Sequence, residues 1–214
     1  GLFRSQDYGK SWQNIFRTMM PDKNSILSIE ISKYNPKSVL IGTEKGIFLS
    51  ENSGDKWQDI SGLLKNKRVI SIALYKEAVY ACASDGLYFK SGPLAGWERR
   101  YVKSAVEKDE TDQAQDAVQS EEDMGRMINC IALKNSRLYI GVDKRLLYSD
   151  DGGKTWNTFP SEGLAGIINY IGASAKGEKI YCATTKGVFE FIPDKARWAE
   201  LYKGMDRIFS IYRI

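Results

Sequence analysis

The sequence predicts an all-β protein, a β-propeller built from four-stranded antiparallel blades. Two observations lead to this prediction. The five tryptophans recur at spacings of 45, 40, 59 and 42 residues, and short strand-like segments recur in the same order ahead of them. A repeat period of about 40–45 residues is typical of propeller blades and solenoids. The long spacing becomes an ordinary one when an acidic insertion at 105–124 is left out.

Each repeat contains four candidate strands, which we name A to D in chain order. Strand A alternates polar and apolar residues, strand B ends in small residues, strand C begins with an aliphatic-aromatic segment, and Trp opens strand D. This period of two, with Val, Ile, Tyr and Phe enriched, indicates strands. The predicted blades are 26–60, 69–100, 127–159 and 167–201, with strands C and D of another blade at 1–15 and a lone strand A at 208–214.

This strand count leaves two arrangements open. A closed ring of five blades would contain one blade without strand B, and that blade would leave strand edges exposed. Alternatively, the chain is part of a larger ring, which the start and the stop inside a blade favour. In either arrangement we predict that 1–214 forms a single propeller domain or a propeller fragment.

The composition excludes several kinds of catalytic site. The chain has no histidine, which excludes Ser-His-Asp and Cys-His nucleophile pairs and His-ligated zinc. Its three cysteines, Cys82, Cys130 and Cys182, match no zinc or disulfide spacing and are predicted to be buried strand thiols. We therefore expect no metal and no cofactor. The apolar runs are too short for a membrane helix, and no signal peptide is visible in the chain.

The charge is distributed unevenly along the chain. The insertion at 105–124 carries a net charge of −7 while the whole chain carries +4, so the remaining residues carry +11. A basic body favours an acidic partner. We predict no nucleic-acid binding, because no recognised nucleic-acid module is present and the aromatic residues follow the pattern of a core.

A specific motif recurs at the turn between strands C and D. Its pattern is S-x-D-x-G-x-[ST]-W, in which a carboxylate accepts N–H groups of its own turn, Gly allows a positive φ, and Trp packs between sheets. These residues are predicted to have a structural role. The two strong copies consist of Ser5, Asp7, Gly9 and Trp12, and of Ser149, Asp151, Gly153 and Trp156; a looser copy consists of Ser50, Asn52, Gly54 and Trp57.

This motif is the Asp-box, or BNR repeat, and the chain resembles the Asp-box propeller superfamily over nearly its whole length. The phrase G-[LIV]-[FY]-x-S-x-[DN]-x-G-x-x-W at Gly1 and Gly46 is most similar to photosystem II stability/assembly factor-like proteins and to xyloglucanase and sortilin-type propellers. The resemblance implies a β-propeller and an extracytoplasmic, periplasmic or secreted, location. It does not imply one function, because a fold serves many.

Two functions are consistent with this pattern. The first is a non-enzymatic propeller for protein–protein interaction or complex assembly, which binds an acidic protein partner through a mainly basic loop face. In propellers the B–C turns and the connections between blades lie on one face. The basic residues predicted on this face are Lys45, Lys65, Lys67, Arg68, Arg126, Lys144, Arg145, Lys186 and Arg207.

The alternative is part of a xyloglucanase-like or sialidase-like glycoside hydrolase. Such enzymes need two carboxylates on either side of the scissile bond. Asp85 and Asp143 are the best available pair, since they occupy equivalent B–C turns of neighbouring blades. Whether the chain is an enzyme therefore stays open at this point, with the non-enzymatic function favoured and a small-molecule or glycan ligand still possible.

Overall fold

The computed structural model describes residues 1–100, 128–173 and 179–204. These residues form 18 β-strands and three short 3-10 helices, Pro21–Asn24, Gly62–Leu64 and Pro193–Lys195. The chain divides into two compact units, unit 1 (Gly1–Arg99) and unit 2 (Arg100–Ile214). The predicted insertion at 105–124 and the predicted strand A at 208–214 lie outside the described residues.

Unit 1 contains an antiparallel hairpin and two four-stranded antiparallel sheets. The hairpin pairs β1 with β2, and the sheets have the strand orders β3-β4-β5-β6 and β7-β8-β9-β10. The strands are β1 (Leu2–Arg4), β2 (Gln13–Phe16), β3 (Ile26–Ile31), β4 (Val39–Thr43), β5 (Gly46–Ser50), β6 (Gln58–Asp59), β7 (Val69–Tyr75), β8 (Ala78–Ala83), β9 (Gly86–Lys90) and β10 (Glu98–Arg100), whose last residue begins unit 2.

Unit 2 contains two further sheets of the same kind, with the orders β11-β12-β13-β14 and β15-β16-β17-β18. The strands are β11 (Ile128–Lys134), β12 (Arg137–Val142), β13 (Arg145–Ser149), β14 (Asn157–Thr158), β15 (Ile168–Ala173), β16 (Ile180–Thr184), β17 (Gly187–Ile192) and β18 (Arg197–Lys203). Four four-stranded sheets and a hairpin confirm the predicted all-β blade architecture. The exact domain and blade limits stay a prediction.

The four sheets share one irregularity. A β-bulge lies near the start of strand A in each of them, between Ile26 and Ser28 in the first sheet and between Ile168 and Tyr170 in the last. A bulge changes which face the following side chains occupy. Its recurrence aligns the strands A residue by residue, which makes positions in different repeats directly comparable.

The core of unit 1 lies between consecutive sheets. Leu40 and Ile47 of the first sheet pack with Val69, Ile72 and Trp97 of the second. A smaller cluster joins the hairpin to the first sheet through Phe16, Ile41 and Phe48. Burial of these apolar side chains is the main stabilising term, at roughly 25 cal/mol per Å² of apolar surface.

The core of unit 2 is built in the same way and is rich in aromatic residues. Phe159 lies 4.6 Å from Phe191 and 6.1 Å from Trp198, measured between ring centroids. The cysteines Cys82, Cys130 and Cys182 are buried and form no disulfide, which confirms the prediction for them. Burial raises the pKa of the Cys130 thiol to about 12, so this thiol is protonated at neutral pH.

In three of the four sheets, a tryptophan connects the sheet to the sheet or hairpin before it in the same unit. Their indole N–H groups donate to backbone carbonyls of the preceding element: Trp57 to Ile15 at 2.7 Å, Trp97 to Ile60 at 2.7 Å, and Trp198 to Pro160 at 2.7 Å. Trp12 differs from these, because its side chain is 64% exposed.

Candidate functional site

The Asp-box turns use their own polar groups internally. In the turn of Asp151, the carboxylate accepts hydrogen bonds from the Thr155 hydroxyl at 2.6 Å, the Thr155 N–H at 2.9 Å and the Ser149 hydroxyl at 2.8 Å. Gly153 has a φ of +82° and donates its N–H to the Ser149 hydroxyl. The Thr155 contacts lower the pKa of Asp151, so its charge is stabilised inside the turn.

The copy at Asp7 forms the same contacts, and the looser copy at Asn52 forms all of them except the bond from a Ser or Thr hydroxyl, because Lys56 occupies that position. The Ser11 hydroxyl and N–H donate to Asp7 and lower its pKa to about 2. In the looser copy, the amide oxygen of Asn52 accepts from the Ser50 hydroxyl at 3.0 Å and the Lys56 N–H at 2.8 Å. A neutral amide therefore substitutes for the carboxylate, which indicates a structural role for these positions.

The B–C turns lie at the ends of the sheets opposite to the Asp-box turns, at residues 44–45 and 84–85 in unit 1 and at 143–144 and 185–186 in unit 2. In each unit separately, we call these turns and the connections leading into the strands A the turn face, and we treat it as the candidate site. The second of these two turn residues is Lys45, Asp85, Lys144 or Lys186 in the four repeats. Three repeats thus carry a lysine at a position where one carries an aspartate.

In unit 1 the cations of the turn face are mostly paired with carboxylates. Arg68 lies 2.7 Å from Glu44, and Lys45 lies 3.9 Å from Asp22. Lys67 forms an ion pair with Asp85. Lys65 is exposed and forms no ion pair among the described residues. The predicted basic surface is therefore largely neutralised in this unit.

Asp85, one of the two candidate catalytic carboxylates, is held by several neighbours. Its carboxylate accepts from Lys67 and, at 3.0 Å, from the Tyr88 hydroxyl, while Arg99 donates to its backbone carbonyl at 2.5 Å. Partial burial opposes ionisation, but the bonds from Lys67 and Tyr88 outweigh it and lower the pKa of Asp85. A carboxylate held in this way is ionised at neutral pH and is a poor general acid.

The second candidate carboxylate, Asp143, belongs to unit 2, whereas Asp85 belongs to unit 1. Hydrolysis by this pair stays an untested alternative. Among the described residues there is no group of three or more His, Cys, Asp and Glu placed to hold a metal ion. No helix within the described ranges has the length and hydropathy of a membrane-spanning segment.

In unit 2 the turn face is arranged differently. The backbone N–H of Ile168 donates to the Asp143 carbonyl at 2.9 Å, and the N–H of Thr185 donates to the Ile167 carbonyl at 3.0 Å. The Thr185 hydroxyl accepts from the N–H of Ile167 at 3.0 Å. The two B–C turns are therefore fixed on either side of the same short segment, the start of β15.

Each of these two B–C turns carries one lysine. Lys144 and Lys186 are exposed and form no ion pair within the described part of the chain. The stem of Lys186 lies close to Gly166, where an added Cβ would come within 2.8 Å of its Cγ. Ile167, in the segment to which both turns are hydrogen-bonded, is 38% exposed. Among its described residues, unit 2 thus has two lysines without an ion pair, in turns that are hydrogen-bonded to the segment carrying the apolar Ile167.

The remaining predicted binding residues are only partly placed. Arg145 is half-buried at the start of β13, and Arg126 and Arg207 lie outside the described residues. The sequence analysis missed the pairing of Lys45, Lys67 and Arg68. It also missed the apolar contribution of Ile167, which the segment Gly166-Ile167-Ile168 before a strand A could have suggested.

No protein-family profile matches the chain, and no curated protein sequence matches it. Solved structures do match. An ancestral GH74 enzyme superposes with a TM-score of 0.70 at 16% identity, covering 94% of this chain and 28% of that one. The extracellular domain of a putative one component system from B. thetaiotaomicron, BT4673, gives 0.65 at 16%, covering 96% and 26%.

A third similar protein is YCF48 from Cyanidioschyzon merolae, with a TM-score of 0.60 at 11% identity, covering 87% of this chain and 58% of that one. A structure of YCF48 bound to D1 peptide gives 0.57 at 13%, covering 84% and 53%. The chain spans about a quarter to three fifths of the length of these structures. It therefore has the fold of Asp-box propeller proteins, as a partial propeller that matches part of larger chains.

Proposed function

We propose that the chain is a non-enzymatic binding module whose turn face in unit 2 takes a protein segment with a carboxylate next to an apolar side chain. The observation that supports this most directly is that Lys144 and Lys186, which form no ion pair among the described residues, belong to turns hydrogen-bonded to the segment of the exposed Ile167. Exposed cations without a carboxylate partner attract an anion without first breaking an ion pair. The apolar contact adds affinity that is independent of charge.

The backbone contacts support the same proposal. Hydrogen bonds fix both turns against the start of β15, so the two lysine backbones are held in place before a ligand arrives. A preorganised site loses less conformational entropy on binding. The similar protein YCF48 has a structure with a bound D1 peptide, which agrees with a peptide-binding role for this fold.

Two further parts of the proposal have fewer supporting observations. The other basic residues of the predicted loop face would extend the surface and raise the association rate with an acidic partner. An extracytoplasmic location is proposed because BT4673, among the similar structures, is an extracellular domain. The proposed binding needs neither a metal nor a cofactor.

The test uses fluorescence anisotropy with labelled heptapeptides. The first alternates Leu and Glu, the second alternates Leu and Gln, and the third alternates Leu and Lys. We expect the Leu/Glu peptide to bind at least ~10-fold more tightly than the others, and more weakly as salt is raised, because exposed charges are screened.

Replacing both Lys144 and Lys186 by Ala should remove this preference. The matched control is Lys154→Ala, since Lys154 is an exposed lysine in an Asp-box turn of the same unit. Equal binding of the three peptides, or unchanged binding of the Leu/Glu peptide by the double variant, would overturn the proposal.

A further inference from the structure

Unit 2 contains a cavity of about 410 Å³ between its two sheets, at the ends opposite to the turn face. One side is formed by β11, β12 and the residues that follow β13 and β14, and the other by β16, β17 and the 3-10 helix after β17. A volume of this size is within the range of small-molecule sites. Neither Lys144 nor Lys186 is among the described residues that line the cavity, so it is separate from the proposed peptide site.

The inner wall of this cavity is aromatic. Tyr139, Phe159 and Phe191 line it. The ring of Phe159 lies 4.6 Å from that of Phe191 at an interplanar angle of 66°, and 5.9 Å from that of Tyr139 at 70°. Edge-to-face contacts of this kind are favourable between aromatic rings. A further aromatic ring in the cavity can therefore extend the same arrangement.

Phe191 is a departure from the repeat. It follows Glu190 in β17 and occupies the position that Ser50 and Ser149 hold in the first and third sheets. Those serines begin Asp-box turns, whereas the fourth sheet has the 3-10 helix Pro193–Lys195 in this turn. The Asp-box fold thus has no need of a phenylalanine here, and in this sheet the side chain forms part of the cavity wall.

A guanidinium group is held at the same cavity by three neighbours. Arg137 donates from Nε and Nη2 to the Asp150 carboxylate at 2.6 Å and 2.9 Å. Its guanidinium carbon lies 4.6 Å from the centre of the Tyr148 ring, and its side chain is also hydrogen-bonded to Tyr139. A guanidinium has five N–H donors, and the Asp150 carboxylate accepts from two of them. An ion pair as exposed as this one contributes little to stability, so its main effect is to fix the position of the guanidinium.

The charge of the cavity lining favours an anion. Among the described residues that line it, the charged side chains are Lys134, Arg137 and Asp150, two cations and one carboxylate. The equivalents of Arg137 in the two sheets of unit 1 are Ser38 and Ala78, one position before the aligned residues of strand B. The blade architecture therefore does not require a cation at this position.

From the aromatic wall and the fixed guanidinium we infer that the cavity binds a small aromatic carboxylate. Its ring lies against Phe159 and Phe191, and its carboxylate accepts from Arg137, with Lys134 adding charge. Hydrogen bonds from a guanidinium to a carboxylate are among the strong ones, because both partners are charged. Since Arg137 is already held in place, less conformational entropy is lost on binding.

The test is a saturation-transfer NMR titration of the full chain with naphthylacetate. Naphthylacetamide keeps the ring system without the charge, and cyclohexylacetate keeps the charge without an aromatic ring. We expect naphthylacetate to bind with a Kd below about 1 mM. It should bind at least ~10-fold more tightly than naphthylacetamide and ~3-fold more tightly than cyclohexylacetate.

Two substitutions locate the binding. Arg137→Gln combined with Asp150→Asn removes both charges of the ion pair, so no lone charge remains. This variant should bind naphthylacetate at least ~10-fold more weakly and naphthylacetamide as before. Lys134→Gln should weaken naphthylacetate binding ~3-fold, because one cation of the lining is lost. Circular dichroism checks that the variants are folded.

Two controls separate this site from the rest of unit 2. Lys154→Gln makes the same change of charge as Lys134→Gln, but Lys154 is exposed in the Asp-box turn and is not among the described lining residues. It should leave naphthylacetate binding unchanged. The double Ala variant of Lys144 and Lys186 should also bind naphthylacetate normally, so the two sites can fail independently.

Three outcomes would contradict the assignment. The first is the absence of saturable naphthylacetate binding up to about 5 mM. The second is equal affinity for naphthylacetate and naphthylacetamide. The third is unchanged naphthylacetate binding by the folded double variant of Arg137 and Asp150.

Discussion

Glu30 is expected to destabilise the folded protein when it is ionised. It lies on β3, pairs across the strands with the buried Leu40, and forms no hydrogen bond or ion pair among the described residues. The aligned positions in the other strands A are Ala73, Ala132 and Gly172, all small and uncharged. Burial raises the pKa of Glu30 from 4.5 to about 7, with a partly compensating effect of Lys33.

The sign of the pH dependence follows from this raised pKa. The folded state holds the proton more tightly than the unfolded state, so the penalty is absent below pH 4.5, grows as the pH rises, and is complete above pH 7. A shift of this size corresponds to ~3 kcal/mol at high pH. Because part of the side chain remains exposed to solvent, we expect to measure about 2 kcal/mol.

The measurement is urea denaturation of the wild type and of Glu30→Gln between pH 4 and pH 8. The variant should be more stable than the wild type by about 2 kcal/mol at pH 8 and nearly equal to it at pH 4. Glu51→Gln is the control, since Glu51 is exposed, and it should change stability by less than ~0.5 kcal/mol. A difference between wild type and Glu30→Gln that does not vary with pH would refute this reasoning.

Three further predictions concern the core and the turns. Trp198→Ala should cost about 3–5 kcal/mol in a denaturant titration, since Trp198 is 3% exposed, and a cost below about 1 kcal/mol would contradict its role in the core. Asp151→Asn should keep the thermal midpoint close to the wild-type value, because the amide of Asn52 accepts the equivalent backbone N–H in its own turn, whereas Asp151→Ala should lower the midpoint. Equal decreases of the thermal midpoint in both variants would contradict this prediction. The Cys130 thiol should not react with Ellman's reagent at pH 8 until the protein is unfolded, and rapid labelling of the native protein would show that it is not buried.

The sequence was informative about the fold because the fold is repetitive. The tryptophan period and the two-residue alternation predicted strands that the structure contains, including the short β6 and β14 after Trp57 and Trp156. These signals are local, and each repeat supplies an independent copy of them. The buried cysteines were predictable for the same reason, since each lies within an apolar strand segment.

The candidate site was harder to predict, because its properties depend on residues far apart in the chain. Lys67 and Asp85 are 18 positions apart, and only the fold shows that they form an ion pair. Trp12 and Trp156 share one motif, yet Trp12 is exposed and Trp156 is 2% exposed. Whether a side chain is covered depends on the neighbouring sheet, and the motif does not specify that neighbour.

The links between consecutive sheets have a consequence for how such a chain can change in length. Each link uses one indole donor and one backbone acceptor, and the donor and acceptor belong to adjacent repeats only. Duplication or loss of a whole repeat therefore creates or removes one link without requiring a new type of contact, as in other repeat proteins in which each unit touches only its neighbours. Because the acceptor is a backbone carbonyl, the residue that supplies it can have different side chains. It is Ile15, Ile60 or Pro160 in the three links. Genetic gain or loss of complete repeats is thus the change in length that this architecture accommodates most readily.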